Sequence, residues 1–241
     1  MTLVFFGIIT GFVSGFFGVG GGMILVPMLL LYGFDMKSAV AISVMQMVFS
    51  SIYGSFLNSK KNKDILKDGL TIGIGGFIGG LLSGIIVPNI NEQYLKYLFL
   101  LIVLFAIYRV SRSSIIEIKE VKYHNKYLLV LTGFFIGMIA MSIGVGGSII
   151  LTPILVSYMF YNIKDASSLG LFFVVFSSLA GFISLSLSGN MHYLEGAIIG
   201  VSSLIGVYFG IKAKHIINMK SYTKLILGLY ILILISVVIK L

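Results

Sequence analysis

Five stretches of this chain, residues 38–57, 68–88, 93–110, 164–187 and 193–211, are apolar runs with few charges. Each has about the 20 residues that an α-helix needs to cross roughly 30 Å of hydrocarbon. One water-soluble domain cannot bury five such helices. With 58% hydrophobic and 10% charged residues, the chain also lacks the polar side chains to cover a soluble globule. An all-α integral membrane protein, solvated by a lipid bilayer, is therefore expected. There is no cysteine, which removes disulfides, thiolate metal sites and cysteine chemistry. The opening "MTLVFFGIITGF" carries no basic region and is expected to belong to the mature fold rather than to a cleaved signal.

The chain repeats itself. A shift of 126 residues lays Gly7, Gly11, Gly18, Gly20, Gly21 and Pro27 on Gly133, Gly137, Gly144, Gly146, Gly147 and Pro153. One further residue of shift aligns "FSSIYG" (49–54) with "FSSLAG" (176–181), and Asp68, Gly69, Gly73 and Gly79 with Glu195, Gly196, Gly200 and Gly206. Residues 1–110 and 127–241 are thus two copies of one unit, joined by a charged linker at 111–126. Each unit holds one glycine-interrupted segment followed by three uninterrupted ones.

The basic residues decide how these segments cross, because Lys and Arg concentrate in cytoplasmic loops. If every interrupted segment crossed once, the 17 basic residues would divide ten to seven between the two sides. If each turns back at its glycines, or forms two short crossings, the loops at 58–67, 109–126 and 212–224 all become cytoplasmic. Fourteen basic residues then lie inside, and only Lys37, Lys96 and Lys240 lie outside. The second arrangement is the better one. It predicts two inverted-topology repeats, each with a re-entrant or discontinuous glycine-broken segment plus three full transmembrane helices. The linker 111–126 is then cytoplasmic, and both termini are periplasmic. It also explains the net charge of +9 as topology, so no nucleic-acid partner is expected.

Irregular backbone is tolerated at membrane depth only where protein or a water-filled cavity surrounds it. A broken segment in each of two inverted halves points to a transporter's central site. "GVGGGMILVP" (18–27) and "GVGGSIILTP" (144–153) would each start a half-helix whose free N–H groups and positive dipole end suit an anion. The candidate substrate-binding positions are Gly20, Gly21 and Gly22, with Gly146, Gly147 and Ser148. Gly7, Gly11, Gly15, Gly76, Gly80 and Gly84, at four-residue spacing, read as helix-packing surfaces. Mid-segment hydroxyls at Ser50, Ser51, Ser177 and Ser178 either bond back to their own helix or face a polar cavity. Gln46, one turn before Ser50, aligns with Phe173, so any role it has in distinguishing substrates is asymmetric.

All eight acidic residues lie at segment ends or in loops, and no lysine or arginine falls in the middle of an apolar segment. Asp68 and Glu195 open their helices, where a carboxylate favours the dipole. His124, His192 and His215 are scattered, with no metal-ligand spacing. Phosphate loops, nucleophile-base constellations and redox motifs are missing, so neither an enzyme nor a cofactor is expected. Exposed small-residue faces would permit a homodimer.

"GFVSGFFGVGGGMILVPMLLLYGF" with "SAVAISVMQMVFSSIYG", and "GFFIGMIAMSIGVGGSIILTPILVSYMF" with "ASSLGLFFVVFSSLAG", resemble the sulfite exporter TauE/SafE family of membrane permeases. The resemblance covers essentially the whole chain. It implies a bacterial inner-membrane permease for a small anionic substrate such as sulfite, thiosulfate or an organosulfonate. Ser148 departs from the pattern by standing where the first copy has Gly22. The alternatives are a carrier or passive channel for another small anion, such as a carboxylate, and a membrane scaffold whose glycines only pack helices.

Overall fold

Short polar residues between the apolar runs start the helices. Asp35 Oδ1 accepts from the Ser38 N–H at 2.6 Å, Asn91 Oδ1 from Gln93 at 3.0 Å and Asn218 Oδ1 from Ser221 at 2.8 Å. Each side chain satisfies a donor that the first helical turn leaves unpaired. The computed structural model describes residues 1–59, 65–112, 126–159, 161 and 163–238. Lys60, Lys61 and Lys63 lie outside them, as does most of the predicted linker with Lys119, Lys122 and His124. The Asp68 side chain, expected at a helix start, is likewise outside the described set.

Regular structure among the described residues is entirely helical. The first half of the chain contributes α1 (Thr2–Phe17), α2 (Gly22–Tyr32), α3 (Met36–Ser59), α4 (Ile65–Gly80), α5 (Ser83–Asn89) and α6 (Glu92–Arg112). The second contributes α7 (Lys126–Ser142), α8 (Ser148–Tyr158), α9 (Ile163–Leu187), α10 (Tyr193–Ile216) and α11 (Met219–Val238). Met36–Asn58, Gly69–Asn89, Ile163–Leu187 and Tyr193–Ile216 are long and apolar enough to cross a membrane. Helices α1, α2, α7 and the Lys224–Ser236 part of α11 are apolar but shorter.

The stretch 68–88, expected to be uninterrupted, is broken between α4 and α5 at Leu81 and Leu82. A side chain from α9 enters the gap. Ser184 Oγ donates to the Leu81 carbonyl and accepts from the Gly84 N–H at 3.0 Å. An inserted hydroxyl is one of the recognised causes of a kink, because it replaces a missing rung of the helical ladder.

Helix packing is reciprocal but does not follow the sequence repeats. Helix α1 lies along α10, and its counterpart α7 lies along α4. Helix α10 also packs on α3, and α4 on α9, while α2 rests on α3 and α8 on α9. One bundle therefore contains α1, α2, α3 and α10, and the other contains α4, α5, α7, α8 and α9. They meet where α3 packs on α9; α6 and α11 pack on each other, with α6 also against α8 and α11 against α2. Small residues make the close approaches within each bundle. A Cβ on Gly11 would collide with the Ser203 carbonyl, and one on Gly206 with the Ile8 carbonyl. In the other bundle, Gly79 meets the Phe134 carbonyl and Gly133 the Ile72 carbonyl in the same way. Backbone contact of this kind is how helices associate where no hydrophobic effect separates them from lipid.

Candidate functional site

Helix α1 ends at Phe17, and the backbone enters left-handed geometry at Gly18, Gly20 and Gly21, with φ of 71°, 79° and 83°. Gly21 is the N-cap of α2. Gly144, Gly146 and Gly147 repeat the pattern at 69°, 83° and 63°, and Gly147 is the N-cap of α8. Only glycine adopts this conformation at Gly21 and Gly147 without steric cost. Both turns are buried, and they touch each other. A Cβ on Gly22 would collide with the Gly144 carbonyl, and one on Gly146 would lie 3.1 Å from the Val19 carbonyl. The Met47 thioether sits against both, with Sδ 3.3 Å from the Cβ position of Gly20 and 2.7 Å from that of Gly146. Val174, the repeat counterpart of Met47, covers the same two glycines. Gly20, Gly21, Gly22, Gly146, Gly147 and Ser148, distant in sequence, thus form one place.

The departure at Ser148 is a packing exchange. A Cβ on Gly22 would lie 2.5 Å from Ser43 Oγ, and that hydroxyl donates to the Gly144 carbonyl at 2.7 Å. In the second copy the large and small partners change places. Gly170, which aligns with Ser43, would meet the Ser148 Cβ at 2.7 Å if it carried a Cβ of its own.

The surroundings of the two turns differ in polarity. Both amide atoms of Gln46 lie 2.9 Å from the Cβ position of Gly21, beside the Thr10 carbonyl at 3.0 Å. Gln46 is fully buried, and neither amide atom has a hydrogen-bond partner. Around Gly147 the equivalent places are taken by the Phe173 ring, Ile136 and Ala140. Their counterparts Thr10 and Ser14 are both buried, and Ser14 Oγ is also unpartnered. The helix starts differ too. The Ser148 N–H donates to the Gly146 carbonyl at 2.7 Å, whereas the Gly22 and Met23 N–H groups meet no partner among the described residues.

Of the four paired serines, only Ser50 reaches a turn, donating to the Gly20 carbonyl at 3.2 Å. Ser177 bonds back to the Phe173 carbonyl at 3.3 Å, and Ser178 to the Val175 carbonyl at 3.4 Å. Ser51 Oγ is buried without a partner.

The model of the sulfite exporter TauE/SafE family matches residues 3–237. The chain belongs to this family. A curated relative described as a probable membrane transporter protein, from Methanocaldococcus jannaschii, is 50% identical over 46 residues. That match takes in 19% of this chain and 17% of the relative, so the chain spans under a fifth of the relative it matches. No solved structure matches. Family and apolar helices together make the TauE/SafE chain a multi-pass membrane protein.

Inspection of the sequence misplaced one cation in this TauE/SafE protein. Lys214, expected in a cytoplasmic loop, lies inside α10 and is 1% exposed. Its Nζ donates to Ser167 Oγ at 3.1 Å and Ser168 Oγ at 2.9 Å, and Asp165 opposes its charge. Ser167 Oγ donates to the Phe17 carbonyl at 2.7 Å. The Tyr222 hydroxyl donates to the Phe16 carbonyl at 2.9 Å and lies 3.0 Å from Ser167 Oγ. This cluster therefore holds the last carbonyls of α1, at the entrance to the Gly18 turn. The available signal was helical spacing. Ser203, Val207, Gly210 and Lys214 recur on one face, the face whose Ser203 and Val207 meet the glycines of α1. Lys37 and Lys164 act as paired caps instead, donating to the Pro88 carbonyl at 2.9 Å and the Ile217 carbonyl at 2.6 Å. Cations at carbonyl-bearing helix ends are favourable.

Proposed function

We propose that the protein is a secondary transporter that exports small sulfur-containing anions, such as sulfite, thiosulfate or a sulfoacetate-like organosulfonate, across the inner (plasma) membrane. The observation that carries this reading is the meeting of two buried glycine turns, each opening a helix, in a chain of this family. Two positive dipole ends and open N–H groups suit an anion held largely by backbone. The helix ends select the sign of the charge, and the family supplies the sulfur chemistry.

In this reading each turn is a discontinuity near the bilayer midplane. The repeats 1–110 and 127–241 are inverted, residues 111–126 are cytoplasmic, and both termini face the periplasm. The turns belong to different bundles, α2 to one and α8 to the other. Relative motion of the bundles separates the turns and exposes the space between them to one side at a time. Met47 fills that space, and a thioether with several rotatable bonds is suited to moving aside.

The test is thermal unfolding of the purified protein with sulfite, sulfate, thiosulfate, sulfoacetate, taurine, acetate or phosphate. A ligand of the folded state at 100 times its dissociation constant stabilises by about 2.7 kcal/mol. A sulfur oxyanion is expected to raise the unfolding temperature. A shift with acetate alone would replace this reading with a carboxylate carrier, and no shift at millimolar concentration would remove the turns as an anion site. Gly147→Ala is a poor probe, because the positive φ and the Phe173 ring would disturb the fold itself.

A further inference from the structure

The two turns are repeat counterparts, yet the polar groups directly over their N-caps differ, and they favour the α2 turn. Gln46 and Phe173 hold equivalent places over Gly21 and Gly147. The phenyl ring shows that an apolar side chain satisfies the packing there, so packing does not require the amide. Buried polar groups are almost always paired, and leaving both ends of an amide unpaired is costly. Gln46 carries that cost with two donors and one acceptor beside the N-cap of α2. The N–H groups of Gly22 and Met23 are also unengaged, whereas in α8 the Ser148 N–H is taken by the Gly146 carbonyl and only the Ile149 N–H is open. Ser14, one turn beyond Thr10 on the same face of α1, adds an unpartnered hydroxyl where the second copy has Ala140. Ser148 and Thr152 of α8 also carry unpartnered hydroxyls, but it is the Ser148 Cβ and Thr152 Oγ1 that pack against Gly170, while the nearest neighbours of the Gly147 cap are Phe173, Ile136 and Ala140.

We infer that the substrate oxyanion is bound by the α2 turn alone, with the Gln46 amide as its specificity-setting donor, and that the α8 turn is a closed, non-binding counterpart. This inference rests on the reading of the protein as an anion transporter. One charged ligand would accept from the Gln46 amide and from the two open N–H groups together, satisfying donors that the protein alone leaves unmade.

Calorimetric titration of sulfite and of thiosulfate into the full-length protein in detergent tests this, with Gln46→Met, Gln46→Asn and Phe173→Leu as variants. Gln46→Met keeps the length and removes the amide. Gln46→Asn keeps an amide and withdraws it from Gly21, and it serves if the first variant does not fold. The wild type is expected to bind one anion per chain. Either Gln46 variant should weaken binding tenfold or more, and Phe173→Leu should change it by less than about threefold, the difference expected when no hydrogen bond to the ligand is lost. Unchanged affinity in a folded Gln46 variant, equal losses at Gln46 and Phe173, or two anions per chain would overturn the inference while leaving an anion transporter. Failure of the wild type to bind either anion would instead remove the sulfur-anion reading, and the inference with it.

Discussion

At the residue scale, the exchange between Gly22 and Ser148 is a matter of fit. Gly22→Ser places a side chain against Ser43 Oγ and the Gly144 carbonyl, an overpacking of the kind that costs about 1 to 3 kcal/mol. Ser43→Gly, which recreates the arrangement of Ser148 over Gly170, should recover part of that loss. The recovery is partial because the Gly144 carbonyl remains in place. A double-mutant cycle on unfolding temperature checks this, and strictly additive losses would show that the two positions are not coupled. Sequence comparison located the glycine pairs and the Gln46 to Phe173 mismatch, because both are visible in an alignment of the two copies. It could not reveal that Gly22 makes room for Ser43, since that fit depends on α2 folding back on α3 and on the Ser43 bond to the Gly144 carbonyl, 101 residues away.

The elements show where local patterns stop being informative. Apolar length identifies α3, α9 and α10, but the break between α4 and α5 has no proline or charge at Leu81 and Leu82 to announce it. The Ser184 hydroxyl of another helix fills the gap, and Ser83 Oγ bonds the Gly80 carbonyl at 2.7 Å beside it. Ser184→Ala leaves the Leu81 carbonyl and Gly84 N–H without this partner, and should cost about 1 to 3 kcal/mol in thermal unfolding. A neutral outcome would mean that the break closes into continuous helix once the hydroxyl is gone. Lys214 is a similar case. Its place among charged neighbours near a helix end reads as a loop, but the turn of α10 points it at Ser167 and Ser168. Ser167→Ala removes the donor to the Phe17 carbonyl and one partner of a buried ammonium, and should lower stability by about 1 to 2 kcal/mol. The same change at Ser168 leaves the α1 carbonyls bonded and should cost less.

At the scale of the whole molecule, the sequence repeats and the packed bundles are different divisions of the same chain. The repeat predicts two units at 1–110 and 127–241, whereas the helices exchange partners so that α1 lies with α10 and α7 with α4. Periodicity within a segment cannot show which distant helix it will meet, so this exchange was not legible in the sequence. It changes which bodies must move if the glycine turns are to part. Transport by relative motion of the bundles requires the α3 to α9 interface to shift, and requires the α4 to α9 interface to stay fixed. The chain has no cysteine, so both interfaces are open to crosslinking. A Cβ on Gly181 of α9 would lie 3.3 Å from Val44 Cγ1 of α3, and one on Gly80 of α4 would lie 3.2 Å from the Ala180 Cβ. Both separations are near the range that a disulfide spans. In proteoliposomes, oxidation of the Val44→Cys, Gly181→Cys pair should abolish uptake of the anion identified by thermal shift, and reduction should restore it. The Gly80→Cys, Ala180→Cys pair, joined within one bundle, should transport in both states. Loss of transport in the second pair alone would mean that α4 moves against α9, and that the sequence repeats rather than the packed bundles are the moving bodies.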